Sequence, residues 1–119
     1  MGNPVKWFEV TGKDAVKLQS FYSEVFGWVF QVEPGMSAYA VANTGTEQGI
    51  PGGIGPAWPN QKPWVTFYVA APDINAKLAE ITAAGGSVII PRTALPNVTL
   101  AMFADPEGQV IGLVEEPIA

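Results

Sequence analysis

Two hydrophobic periods alternate along this chain, and their order runs through twice. Residues 5–10 form a short apolar run with aromatics, the pattern of a strand. From residue 15 to 26 the apolar positions Val16, Leu18, Phe21, Tyr22, Val25 and Phe26 fall on one face at helical spacing. Asp14 stands where a carboxylate can cap the first turn, and Gly27 where a left-handed residue ends the last. Strands are predicted at 28–33 and 36–43, separated by a Pro34-Gly35 turn. A polar turn at 43–48 leads to a Gly-rich strand at 49–55. Residues 56–63 are proline-rich and carry Trp58. The second run has a strand at 64–69, an Asp73-capped helix at 74–84 ended by Gly85-Gly86, and a strand at 87–91. A loop at 91–97 follows, then strands at 98–104 and 109–115 around an Asp105-Pro106-Glu107-Gly108 turn.

The two runs are one unit written twice. Phe8-Glu9-Val10 recurs as Phe67-Tyr68-Val69, 59 positions on, and the same offset takes Asp14 to Asp73, Gly27 to Gly86, Gly49 to Gly108 and Gly53 to Gly112. Each unit is β-α-β-β-β, giving an α+β fold. The boundaries are 4–56 for the first module, 57–63 for the linker and 64–117 for the second, within one domain of residues 1–119.

Composition narrows the chemistry. Hydrophobic residues at 48% and charged residues at 14% describe a folding chain. No apolar run approaches a membrane span, and no secretory signal precedes the first strand, so a cytoplasmic setting is expected. The chain has no cysteine and no histidine. That excludes disulfides, thiolate chemistry, serine–histidine catalysis and histidine-built metal sites. The net charge of −5, with no basic stripe, argues against nucleic acid.

The order of elements, with Trp7-Phe8-Glu9-Val10, Phe21-Tyr22, Phe26-Gly27-Trp28 and Asp105-Pro106-Glu107-Gly108 at these places, resembles the glyoxalase / bleomycin-resistance / extradiol dioxygenase superfamily. It is similar in particular to the branch related to lactoylglutathione lyase. The resemblance implies two modules whose sheets curl into an open, barrel-like cleft with helices outside, and a homodimer. It also implies, in metal-using members, ligands on the first and last strand of each module. The last-strand position falls on Gly112, with Gly53 as its repeat mate, and neither has a side chain to coordinate an ion. The first-strand position falls on Val5 and Trp64, or on Trp7 and Thr66. No metal and no cofactor are therefore expected, and two glycines facing the cleft would enlarge its space.

Alternation along the first strands puts Phe8, Val10, Val65, Phe67 and Val69 toward the helices. It puts Val5, Trp7 and Glu9, and Trp64, Thr66 and Tyr68, toward the cleft. Glu9 is the one carboxylate on either strand. It is either desolvated among Trp7, Trp64 and Tyr68, where it could act as a base or hold a cationic or hydrogen-bonding ligand, or it sits on a solvated rim, or it pairs with Lys6 or Lys62. Trp7, Trp64, Trp58 and Tyr68 could floor a site for a flat ligand, or pack in the core or at a subunit contact, with Trp58 placed to meet a partner subunit. Arg92, the sole arginine, stands on the loop before the seventh strand, where it could reach an anionic group. Gly52-Gly53-Ile54-Gly55 lacks the lysine and helix of a phosphate loop and reads as a strand that something approaches closely.

The expected function is capture of a small apolar or aromatic molecule by Trp7, Glu9, Trp64, Thr66, Tyr68 and Arg92, without metal. The alternatives are a lyase, isomerase or dioxygenase-type enzyme with Glu9 as base or with unrecognised ligands, and an interaction module whose cleft is filled.

Overall fold

A computed structural model describes residues 2–36 and 38–118. The elements follow in the order β1 (Val5–Gly12), α1 (Ala15–Phe26), β2 (Val29–Val32), β3 (Ala40–Asn43), β4 (Gly52–Pro56), β5 (Val65–Ala71), α2 (Ile74–Ala83), β6 (Ser87–Ala94), β7 (Thr99–Ala104) and β8 (Val110–Glu115). The α+β class and the tandem β-α-β-β-β order are those expected. Two compact units emerge, Trp7–Val65 and Met1–Lys6 with Thr66–Ala119.

In the first unit the strands lie in the order β2-β3-β4-β1. β4 runs parallel to β1, pairing Phe8 with Gly52 and Glu9 with Gly53, and antiparallel to β3, pairing Val41 with Gly53. α1 begins where the Asp14 carboxylate accepts the Lys17 N–H at 3.0 Å, and ends where Gly27 takes φ 72°. The core of this unit is built from small residues, with Ala15, Ala40, Ala42 and Ile54 buried. An aromatic stack takes the place of deep burial. Tyr22 stacks on Trp28 with ring centroids 5.6 Å apart, and Phe8 meets Trp28 at 5.4 Å. That contact places Phe8 on the helix side, so Trp7 and Glu9 flank the other face.

The apolar stripe of α1 is less covered than its spacing suggests. Val16, Phe21, Val25 and Phe26 are exposed, and Ala15 is the residue the helix buries. Helical periodicity marks residues that share a face; it does not state what lies opposite them. β3 is also shorter than expected: it begins at Ala40, just after the Tyr39 carbonyl that accepts the Glu33 N–H at 2.8 Å.

The second unit orders its strands β5-β8-β7-β6. Ala71, Ile74, Leu78, Ala101 and Leu113 form its core, with Val69, Ile81 and Phe103 packed against it. Val69 thus faces the helix as expected, whereas Val65 and Phe67 on the same side of β5 are exposed. Asp73 caps α2 by accepting the Ala76 N–H at 3.1 Å. The Asp105 turn forms as expected, closed by a Gly108 N–H to Asp105 carbonyl bond of 2.9 Å. The loop expected at 91–97 is mostly strand: β6 continues to Ala94, with register shifts on both sides of Ile90 that accommodate Pro91.

Arg92 therefore lies in β6, not on a loop. It grips Glu115 with two bonds, Nη2 to Oε1 at 2.6 Å and Nε to Oε2 at 3.0 Å. Glu115 also accepts the Ile74 N–H at the start of α2, at 3.1 Å. The guanidinium bonds, then the helix N–H, hold the Glu115 carboxyl down to about 2 from an ordinary 4.5. A depressed carboxyl stabilises the fold above its unfolded pKa and loses that contribution as pH falls through the folded value. Glu115→Gln is expected to lower the melting temperature at neutral pH. The gap from the parent should shrink below pH 4.5 and vanish near pH 2. A gap unchanged with pH would show that the pair contributes no linkage.

Candidate functional site

On the face of β1 away from α1, Trp7, Glu9 and Trp64 come together as the sequence suggests. Glu9 is 4% exposed, and both tryptophans are half-buried. The Trp64 indole N–H donates to Glu9 Oε2 at 2.7 Å. Trp64 is itself fixed to β1, since its N–H donates to the Thr11 hydroxyl and its carbonyl accepts the Thr11 N–H, both at 2.9 Å. Lys6, one expected partner of Glu9, reaches Glu116 at 3.5 Å instead.

The residue that completes this cluster is Tyr39, which the sequence reading passed over. The Trp7 indole N–H donates to the Tyr39 hydroxyl at 2.9 Å, and that hydroxyl donates to the Glu9 carboxylate. Burial first, then the negative charge of Glu9, push the Tyr39 pKa far above its ordinary 10.0. The phenol is thus a proton donor that stays protonated. The result is a chain of neutral donors, Trp7 to Tyr39 to Glu9, joined from the other side by Trp64. Such bonds are what allow a carboxylate to be sealed from water.

The Tyr39 ring lies over the backbone of β4. A Cβ added at Gly53 would overlap its phenol oxygen, and one at Gly55 would overlap its ring edge. Gly53 and Gly55 share one side of β4, and Gly52, just before them, faces Phe8 on the other. Tyr39 is set there by α1. The Gln19 amide donates to the Ala38 carbonyl at 3.0 Å and to the Ile54 carbonyl at 2.8 Å. It braces Ala38 in a left-handed conformation, φ 57°, which costs a non-glycine residue about 1 kcal/mol. The signal for Tyr39 is the glycine alternation at 53 and 55, which leaves room for a bulky neighbour on that side.

The second unit reaches a similar end by another route. β5 and β8 pair Tyr68 with Gly112, the repeat mates of Glu9 and Gly53. A Cβ at Gly112 would overlap the Tyr68 ring. Tyr68 is buried, and so is Thr66, whose hydroxyl donates to the Val110 carbonyl at 2.7 Å. Arg92 is held by Glu115, as above.

These positions correct one expectation. Gly53 and Gly112 do not enlarge a space, because a tyrosine ring fills the room over each. Nor does the donor set fit a divalent ion. Among the described residues no group of three or more His, Cys, Asp or Glu could hold one, whereas a catalytic metal takes about three protein ligands.

The glyoxalase-like domain family matches residues 7–114. The chain belongs to that family. Among curated relatives, CFP32 of Mycobacterium tuberculosis, which bears a glyoxylase name, is 26% identical over 125 residues, covering 94% of this chain and 45% of the relative. An anthracycline biosynthesis protein of Streptomyces peucetius, DnrV, is 29% identical over 118 residues, covering 86% of this chain and 43% of its own length. The chain thus spans less than half the length of these relatives. A crystal structure of a glyoxalase/bleomycin resistance protein/dioxygenase superfamily member from Vibrio splendidus superposes with a TM-score of 0.62 at 17% identity, covering 98% of this chain and 100% of that one. It shows the shared fold.

In this glyoxalase-like chain the Gly53–Tyr39 fit should be measurable as a coupling. Gly53→Ala is expected to cost about 1–3 kcal/mol by overpacking. In a Tyr39→Ala background the same change should cost far less, giving a coupling energy of at least about 1 kcal/mol in a double-mutant cycle read by denaturant unfolding. Additive costs would mean that the ring does not lie on Gly53.

Proposed function

We propose that this glyoxalase-like protein binds a small apolar or aromatic molecule, without a metal, against the aromatic inner face of its first module. The observation that carries the reading is the hydrogen-bonded hub at Glu9. It consumes the polar atoms of Trp7, Tyr39 and Trp64 internally and leaves three half-buried rings whose positions are fixed. Rigid aromatic surface with few free polar groups suits a flat apolar ligand.

The same observation weakens the enzymatic alternative. A general base has to reach a substrate proton, and Glu9 is sealed beneath donors that already occupy it. The glyoxylase name of one relative favours a lyase or isomerase as second reading. That reading requires Glu9 to exchange one of its donors for substrate.

Titration with naphthalene, followed through the four indole N–H resonances, tests the proposal. Trp7 and Trp64 are expected to shift saturably while Trp28, in the outer stack, stays still. Glu9→Gln should weaken binding roughly tenfold, the worth of one charge-assisted hydrogen bond in holding the rings. Unmoved Trp7 and Trp64 signals would rule the reading out.

A further inference from the structure

The Tyr39 side chain is bound as a ligand would be. Its hydroxyl accepts from Trp7 Nε1 at 2.9 Å and donates to the Glu9 carboxylate, so both hydrogen-bonding roles of a phenol are met. Its ring lies where the side chains of residues 53 and 55 would be, and both are glycine. The polar end carries one donor and one acceptor at the spacing of a single oxygen. The floor is flat backbone.

We propose that this recess, floored by Gly53 and Gly55 and ended by the Trp7 indole N–H and the Glu9 carboxylate, is a receptor for a phenol, with Tyr39 as its resident occupant. The inference deepens the binding reading above and rests on it for the identity of the face. It names the ligand class as phenolic.

Other chemistries fit less well. A ligand carboxylate or phosphate would face the Glu9 charge in a site of low polarity. An aliphatic alcohol would leave the glycine floor uncovered. An unsubstituted aromatic would strand the Trp7 donor and the Glu9 acceptor without partners. Tyr39 itself holds the slot from a turn whose Ala38 is left-handed, φ 57°. A free phenol makes the same contacts without that backbone cost, and in a Tyr39→Ala background it meets no tethered competitor.

Tyr39→Ala empties the recess, and p-cresol reproduces the missing side chain. The variant is expected to bind p-cresol saturably at one site, with a Kd of about 1 mM or tighter for a ligand of this size. Its melting temperature should rise with p-cresol concentration. Toluene, the same shape without the hydroxyl, should bind about tenfold more weakly. Trp7→Phe in the same background should narrow that preference. If Tyr39→Ala is unfolded in buffer, millimolar p-cresol should restore its far-ultraviolet circular dichroism and toluene should not. The proposal is overturned if the folded variant binds no p-cresol, if toluene binds as well, or if the unfolded variant is not rescued. Failure here with naphthalene still shifting Trp7 and Trp64 of the parent would remove the phenol slot and keep the binding face. The reverse outcome would keep the slot and show that Tyr39 closes it to outside ligands.

Discussion

A carboxylate on β1 of the first module is almost wholly withdrawn from water. An unmatched buried charge of this kind costs several kcal/mol, so its surroundings have to supply donors. Trp64 supplies one and Tyr39 another, and Tyr39 is in turn met by Trp7. Each of these demands propagates. Trp64 can reach Glu9 because its backbone is pinned to Thr11. Tyr39 can reach it because Gly53 and Gly55 leave room for the ring, and because Gln19 holds the turn at Ala38. A helix side chain, a strained residue and two glycines are thus explained by one buried charge.

The duplication gives this arrangement a comparison within the same chain. Glu9 pairs with Gly53 in one copy and Tyr68 with Gly112 in the other. In the second copy the strand residue itself covers the glycine. In the first it cannot, being a short carboxylate, and a tyrosine from the turn before β3 comes in to cover both the glycine and the charge. Two different tyrosines fill equivalent positions. Small-residue backbone beneath a large ring is a packing solution common to both modules, and it leaves no room for a carboxylate ligand at either glycine.

Much of this was legible in the residues. Hydrophobic period and caps located α1 to its ends and α2 to within a residue, because both act within one or two turns of chain. Strand alternation put Trp7 and Glu9 on one face and Phe8 on the other. The repeat aligned Gly53 with Gly112. What escaped was set by tertiary packing. The α1 stripe of Val16, Phe21, Val25 and Phe26 is periodic yet exposed, since periodicity does not state what lies opposite. Pro91 reads as the end of β6, but bulges carry the strand past it and bring Arg92 to Glu115. Tyr39 was missed because its role depends on a left-handed alanine before it, a conformation that local propensity disfavours.

The proposal is that the Glu9 carboxylate is held by the Tyr39 and Trp64 donors and not by an ion. It is tested most directly by elemental analysis of the purified protein after exposure to Mn²⁺, Ni²⁺ and Zn²⁺ and exhaustive dialysis. The account predicts that far less than one ion per chain is retained, for the parent and for Tyr39→Phe alike. One ion per chain, held by the parent and lost in Glu9→Gln, would contradict it.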